Sequence, residues 1–185
     1  MKLILIRHGM TEASEKRLYC GRTDLPLSEQ GRQGLAALKE TIIYPTADVY
    51  ISSGLIRASE TLRLLYDLEP GMIMDELREI DFGKFELKSY DDLKSKPEYQ
   101  QWINGGLCPC GESRDAFESR VTAGLDKLLN SGVESIAVIC HGGVIVLIME
   151  RLFPCRKNFY EWQPGFGRGY SLDISPEREL EWHSL

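Results

Sequence analysis

Histidine is scarce in this chain: His8, His141 and His183 are the only three among 185 residues. Other things are missing too. No apolar run approaches the roughly 20 residues that cross a bilayer, and there is no internal repeat or low-complexity tract. The opening Met1-Lys2-Leu3-Ile4-Leu5-Ile6-Arg7 is too short for a secretory leader, and no small-residue cleavage site follows it. Cysteine is sparse and odd in number, at Cys20, Cys108, Cys110, Cys140 and Cys155. Without an export signal these read as reduced thiols of a cytoplasmic protein. Cys108-Pro109-Cys110 has a one-residue gap and no second cysteine pair or histidine cluster beside it, so loop thiols are expected there, with no metal and no cofactor.

What is present is an ordinary globular composition. The 43% hydrophobic and 27% charged fractions exclude whole-chain disorder. Twenty-two Lys+Arg against 28 Asp+Glu leave a net charge of −6. That balance argues against nucleic acid or a membrane surface as the main partner, yet leaves room for a local arginine pocket that takes an anion. The length predicts a single domain over 1–185, as a monomer or homodimer.

Leu3 to Ile6 is a short, nearly continuous apolar run, as a strand buried on both faces requires. Ser28 precedes a helical stretch to about Ile42, with Leu35, Leu38 and Ile42 in register. Asp48 to Ser52 reads as a strand, and Leu55, Ala58, Leu62 and Leu65 form the stripe of the helix after it. Met72 to Met74 is a weak third strand. From Glu79 to Gly111 the chain turns polar and aromatic and is broken by Pro97 and Pro109, which suits short helices in a cap over about 79–111. Helical period returns from Ser113 to Leu129 through Phe117, Val121, Leu125 and Leu128. A strand at Ile136 to Cys140, a helix at Val144 to Leu152, and closing strands at Tyr170 to Ile174 and Leu180 to Trp182 complete the pattern. It predicts an α/β fold, a three-layer sandwich with a mostly parallel central sheet and helices on both faces.

In such folds ligands sit beyond the carboxyl ends of the strands. There the first strand ends in Arg7-His8-Gly9, the second in Ser52-Ser53-Gly54 with Arg57 a turn later, and the late strand in His141-Gly142-Gly143. Each of these residues alone reads as well as a structural histidine or a solvated arginine; His183, near the end of the chain, keeps that reading. Jointly, two histidines and two arginines at one sheet edge suit phosphate. Guanidinium matches phosphate oxygens bidentately, neutral imidazole attacks phosphorus, helix-start amides add donors, and a carboxylic acid nearby would protonate a leaving oxygen.

With these motifs the chain resembles the histidine phosphatase superfamily, in its phosphoglycerate-mutase-like branch, over nearly its whole length. Arg7-His8-Gly9-Met10-Thr11 is similar to the nucleophile motif, and Tyr19-Cys20-Gly21-Arg22-Thr23-Asp24-Leu25-Pro26-Leu27-Ser28 to the substrate loop. Ser52-Ser53-Gly54-Leu55-Ile56-Arg57-Ala58-Ser59-Glu60-Thr61 resembles the second arginine segment. Leu77-Arg78-Glu79-Ile80-Asp81-Phe82-Gly83 resembles the segment that carries the acid, and His141-Gly142-Gly143 the second histidine. Gly111-Glu112-Ser113 with Phe117 and Arg120-Val121 resembles the entry to the late helix.

The resemblance implies a metal-independent phosphomonoesterase that acts on a small phosphorylated metabolite and releases inorganic phosphate. It implies His8 as the nucleophile, Arg7, Arg57 and His141 as the phosphate pocket, and Glu79 as general acid and then base. It also implies substrate contacts from Arg7, Gly9, Thr11, Gly21, Arg22, Thr23, Arg57, His141 and Gly142. The substrate loop and Gly111-Glu112-Ser113 are similar to those of phosphatases acting on α-ribazole phosphate, and broad-specificity sugar-phosphate phosphatases share them. Cofactor-dependent phosphoglycerate mutases are similar in the core but longer around the active site, and a non-catalytic phosphate-binding relative is the other alternative. Met10, Ser14, Gly54 and Leu87 depart from the family pattern: Gly54 stands where proline is usual and is expected to loosen the turn before Arg57, and Leu87 where glycine is usual. Tyr19, Phe82, Phe85, Tyr90 and Trp102 would either line a pocket for a ring or sugar or pack the cap onto the body.

Overall fold

Alternation along the central strands decides the layers. In strand β1 (Lys2–Arg7), Leu3 and Leu5 point to one face of the sheet and Ile4 and Ile6 to the other, and all four are fully buried. In β4 (Ser135–Cys140), Ile136, Val138 and Cys140 share the first face, while Ala137 and Ile139 share the second. The first face is covered by α6 (Arg114–Leu129), whose predicted stripe of Phe117, Val121, Leu125 and Leu128 is wholly buried, and by α7 (Gly142–Leu152). The second face carries α2 (Glu29–Lys39) through Leu35 and α3 (Ile56–Tyr66) through Ala58, Leu62 and Leu65. The result is the three-layer α/β architecture that the pattern predicts.

This computed structural model describes residues 1–154, 156–175 and 179–185, so Cys155 lies outside the described residues. The sheet order is β3-β2-β4-β1-β5-β6, where β2 is Val49–Ser52, β3 Met72–Ile73, β5 Gly169–Ile174 and β6 Leu180–Ser184. Strands β3, β2, β4 and β1 run parallel, and β5 runs antiparallel to both β1 and β6. The carboxyl ends of β1, β2 and β4 therefore share an edge with the amino end of β5. Around it lie short helices: α1 (Glu12–Glu15), α4 (Tyr90–Leu93), α5 (Pro97–Ile103) and α8 (Phe159–Trp162). Residues 79–111 contain α4, α5 and a 3-10 turn at Gly83–Phe85, closed on a separate apolar cluster of Phe85, Leu93, Tyr99, Trp102 and Cys108. Among the described residues no helix is long and apolar enough to cross a membrane.

Two local differences from expectation have physical causes. Helix α2 ends at Lys39, not Ile42: the β-branched run Thr41-Ile42-Ile43 resists continuation, and Thr41 turns its hydroxyl back on the Leu38 carbonyl at 3.2 Å. Gly54 does not loosen its turn. It holds φ +85°, a conformation closed to proline, and its N–H donates to Ser52 Oγ at 3.1 Å. His183 lies exposed on β6, the outermost strand of the sheet, opposite Ser171.

The fully buried Leu62 ties α3, and with it Arg57, to the second sheet face. Leu62→Ala is expected to lower unfolding stability by about 2–5 kcal/mol in urea titration, while Ile43→Ala on the surface changes it by less than about 0.5.

Candidate active site

His8 leaves the end of β1 with its N–H on the Cys140 carbonyl (3.0 Å), so the two strand ends that carry the histidines are bonded to each other. Its ring Nδ1 lies 2.6 Å from the Gly9 carbonyl oxygen. A carbonyl only accepts, so Nδ1 carries the ring proton and Nε2 keeps the lone pair. Arg57 Nε donates to that Nε2 at 3.3 Å, and the two imidazole centroids are 5.1 Å apart.

Arg57 is fully buried. Its other two nitrogens donate to main-chain carbonyls of the substrate loop, NH1 to Thr23 at 2.8 Å and NH2 to Gly21 at 2.6 Å. The loop can offer these carbonyls because its N–H groups have a partner of their own. The Glu86 carboxylate accepts from the main chain of Gly21 (3.1 Å), Arg22 (2.9 Å) and Thr23 (3.3 Å), from the Thr23 hydroxyl (2.6 Å) and from the Phe82 N–H (3.0 Å). Gly21 is needed for close approach, since a Cβ there would lie 1.7 Å from the Ile80 carbonyl oxygen. The loop's far end is fixed by Asp24 Oδ1, which accepts from the first N–H of α3 at Ile56 (2.7 Å).

His141 stands at the N-cap of α7, with Nε2 2.7 Å from Ser53 Oγ. Arg7 NH1 donates to the Pro164 carbonyl at 2.8 Å, and its guanidinium lies 3.9 Å above the Phe166 ring. Among the described residues Arg7 Nε and His141 Nδ1 are buried donor atoms without a hydrogen-bond partner, so an acceptor that entered here would meet both. Glu79 completes the ring of groups: its Oε2 accepts from Gly143 N–H at 3.0 Å and its Oε1 from Ile80 N–H at 3.0 Å.

The electrostatics favour an anion. Burial, and then the positive charges of Arg57 and Arg7, hold His8 well below the ordinary imidazole pKa, against a weaker opposing pull from the Gly9 carbonyl. Burial and Arg57 do the same to His141, with smaller contributions from its other neighbours. Burial lowers Arg7, and Glu79 partly offsets this. At neutral pH both imidazoles are therefore uncharged, and the positive charge of the pocket rests on the two arginines.

Of the residues singled out in the sequence, Arg7, His8, Arg57, Glu79 and His141 converge here, with Gly9, Gly21, Thr23 and Gly142 on the surrounding backbone. Thr11 serves another purpose: it is fully buried, and its hydroxyl caps α1 by accepting from Ser14 N–H. Arg22 is held by its main chain, with its side chain exposed. Ser53, quoted only as part of a motif, and Glu86, singled out nowhere in the sequence, hold the ring of His141 and the 21–23 main chain, and Gln163, with Nε2 beside Gly142, carried no local signal. Phe85 and Trp102 are buried in the apolar cluster within residues 79–111, packed with each other and with Tyr99, whereas Tyr90 is exposed. Leu87, where glycine is usual, takes φ +57°, the left-handed region glycine would favour.

Comparison with known proteins shows the family and the fold. The family model described as "Histidine phosphatase superfamily (branch 1)" matches residues 3–168. An Escherichia coli protein named "Adenosylcobalamin/alpha-ribazole phosphatase" is 34% identical over 160 residues, 82% of this chain and 79% of the relative. The crystal structure of a putative alpha-ribazole-5'-P phosphatase from Escherichia coli superposes with a TM-score of 0.88 at 29% identity, covering 100% of this chain and 95% of that one. A Thermus thermophilus structure titled as a phosphoglycerate mutase superposes at 0.72 with 30% identity, covering 98% of this chain and 96% of that one.

The lowered imidazoles link stability to pH. Between their folded values and the unfolded value near 6.5, the unfolded chain binds more protons than the folded one, so stability is complete above about pH 6.5 and falls as the pH drops. Urea unfolding between about pH 5 and 8, in buffer free of phosphate, is expected to show a slope of up to ~1.4 kcal/mol per pH unit for each imidazole. His8→Gln should remove about half of it; an unchanged slope would mean that His8 is charged in the folded protein.

Proposed function

The chain belongs to the histidine phosphatase superfamily, branch 1, and is a phosphatase; from that premise we propose that it hydrolyses a small phosphorylated metabolite through a phosphohistidine on His8 Nε2, without a metal ion. The observation that carries this reading is the tautomer set by the 2.6 Å contact of His8 Nδ1 with the Gly9 carbonyl, which leaves the nucleophilic lone pair on Nε2. Arg57 Nε–H meets that lone pair in the free enzyme at 3.3 Å and turns to a phosphoryl oxygen when substrate enters.

Nε2 attacks phosphorus, the bond from phosphorus to the ester oxygen breaks, and the departing oxygen takes a proton from the Glu79 carboxyl group. Water then gives a proton back to the Glu79 carboxylate and attacks phosphorus, the bond to Nε2 breaks, and inorganic phosphate leaves. With Ser53 donating to His141 Nε2, His141 Nδ1 holds the proton that reaches a phosphoryl oxygen. Arg7 Nε and the remaining Arg57 N–H groups act as further donors. Phosphoryl transfer of this kind needs placement and positive charge around the equatorial oxygens, and two arginines and an imidazole supply both.

The finer reading is that the substrate resembles α-ribazole 5'-phosphate. Its support is the name and structural likeness of the Escherichia coli relatives, together with the substrate loop and the residues 79–111. In this reading 1–185 act as one domain and 79–111 cover the pocket. Tyr19 would join cover to pocket: its hydroxyl lies 2.5 Å from that of Tyr99, and its ring meets Phe82 and Trp102 edge-on. The mutase reading draws on the Thermus thermophilus likeness and differs only in which acceptor meets the phosphohistidine.

Purified protein is to be tested against α-ribazole 5'-phosphate, sugar phosphates, nucleotides and 3-phosphoglycerate, with chelator present and released phosphate as the readout. Hydrolysis unaffected by chelator, with one ester preferred, is expected. His8→Ala should lower it by at least about 10³-fold with the fold retained. Restoration of lost activity by a divalent ion would overturn metal independence, substantial turnover by His8→Ala would overturn the nucleophile, and transfer between phosphoglycerates without net phosphate release would establish the mutase.

A further inference from the structure

One motif has no part in the reaction as written. Glu112, two residues before α6, and Arg120, two turns into it, form a side-on ion pair: Arg120 Nε donates to Glu112 Oε1 at 2.9 Å and NH2 to Oε2 at 2.7 Å. Both side chains are largely shielded, at 19% and 14% exposure. Arg120 NH1 is left over and points the other way. It donates to the main-chain carbonyls of Glu76 at 2.8 Å and Arg78 at 2.9 Å. The main-chain N–H of Glu112 meanwhile donates to the Asp81 carbonyl at 2.9 Å.

Glu79 lies between those anchors. Its neighbours Leu77 and Ile80 are buried, and Leu77 packs against Gly124 of α6. Apolar packing of that kind fixes the depth of a segment but leaves its peptide planes free to rotate. Carbonyl bonds on both sides of Glu79 fix the planes, and so the direction in which its side chain leaves the backbone. The fork of an arginine is required, because one planar group must meet a carboxylate with two nitrogens and two carbonyls with the third.

We propose that Glu112 and Arg120 are positioning residues for Glu79: the ion pair holds segment 76–81 at both ends so that the Glu79 carboxyl group reaches the ester oxygen. This rests on the reading of Glu79 as the acid, and the test separates the two. A displaced acid harms esters with a poor leaving group and spares those whose alcohol needs no proton, whereas general loosening of the fold harms both.

The experiment measures kcat/KM for nitrophenyl phosphate and glycerol 2-phosphate in the parent protein, Glu79→Gln, Arg120→Met and Glu112→Gln, and in each of the latter two combined with Glu79→Gln. Arg120→Met is expected to lower turnover of the glycerol ester by ~10- to 100-fold and of the nitrophenyl ester by less than about threefold. Glu112→Gln should act in the same direction, and it carries the comparison if Arg120→Met does not fold. On the Glu79→Gln background neither change should cost the glycerol ester more than about twofold, since the group being positioned is gone. Equal losses for both esters in Glu112→Gln and Arg120→Met, beside a selective loss in Glu79→Gln, would overturn the proposal alone. Equal losses in Glu79→Gln itself would overturn the acid, and the proposal with it.

Discussion

Arg57 is a guanidinium with no access to bulk water, and an ion in that position costs several kcal/mol unless acceptors surround it. Much of the site answers this one demand. Two acceptors are carbonyls of Gly21 and Thr23 and a third is the lone pair of His8, so the substrate loop must fold down over the helix that carries Arg57. A loop that turns its carbonyls inward leaves its N–H groups to be satisfied elsewhere, and Glu86 gathers those of Gly21, Arg22 and Thr23 on one carboxylate. The peptide group between Gly21 and Arg22 links Glu86 to Arg57 directly, its carbonyl accepting from the guanidinium and its N–H donating to the carboxylate. The same carboxylate takes the Phe82 N–H, which binds the loop to the segment that bears Glu79.

Burial first, and the buried cation second, also decide the state of the histidines. Two imidazoles 5.1 Å apart beside two arginines stay neutral, through burial first and repulsion second. In the proposed reaction His8 attacks as the neutral ring, and burial, reinforced by the charges of Arg57 and Arg7, is what keeps that ring unprotonated. In the proposed reaction a phosphate dianion would offset the arginines' charge as it arrives and so stabilise positive charge on the His8 ring. None of this is visible in a net charge of −6, because the acidic excess is spread over the surface and the pocket holds a few charges of the opposite sign.

How much could be read in advance depended on the range of the forces involved. The stripes of α3 and α6 and the alternating faces of β1 and β4 follow from local periodicity, and they place the histidines at strand ends. The convergence of His8, Arg57 and His141 then follows from topology. Glu86 and Ser53 were not legible as site residues, since the loop and ring atoms they hold lie 63 to 88 positions away and no spacing rule links such partners; the contact of Arg120 with the Arg78 carbonyl, 42 positions back, is equally remote. Thr11, within the nucleophile motif, is a substrate contact by the resemblance alone; the helix that begins one residue later gives its hydroxyl a cap to form, which the motif did not reveal. Gly54 was misread because the proline usual at that position implies one turn, while φ +85° shows another.

The departure from an all-parallel sheet has its own consequence for Arg7. A parallel fifth strand would bring its carboxyl end to the site edge. The antiparallel β5 instead brings its amino end, and with it the segment from Pro164 to Arg168. That segment supplies what the first arginine needs: the Pro164 carbonyl for NH1, the Phe166 ring at 3.9 Å for the guanidinium face, and the Arg168 carbonyl for the Arg7 N–H at 2.9 Å. The Gly167 N–H returns to the Arg7 carbonyl at 3.0 Å. Arg7 is thus held by strand pairing on the backbone side and by a carbonyl and a ring on the other, with Nε left for a ligand. Its orientation is a product of sheet topology, as that of Arg57 is a product of loop folding. The two cations of the site are therefore fixed by unrelated parts of the chain.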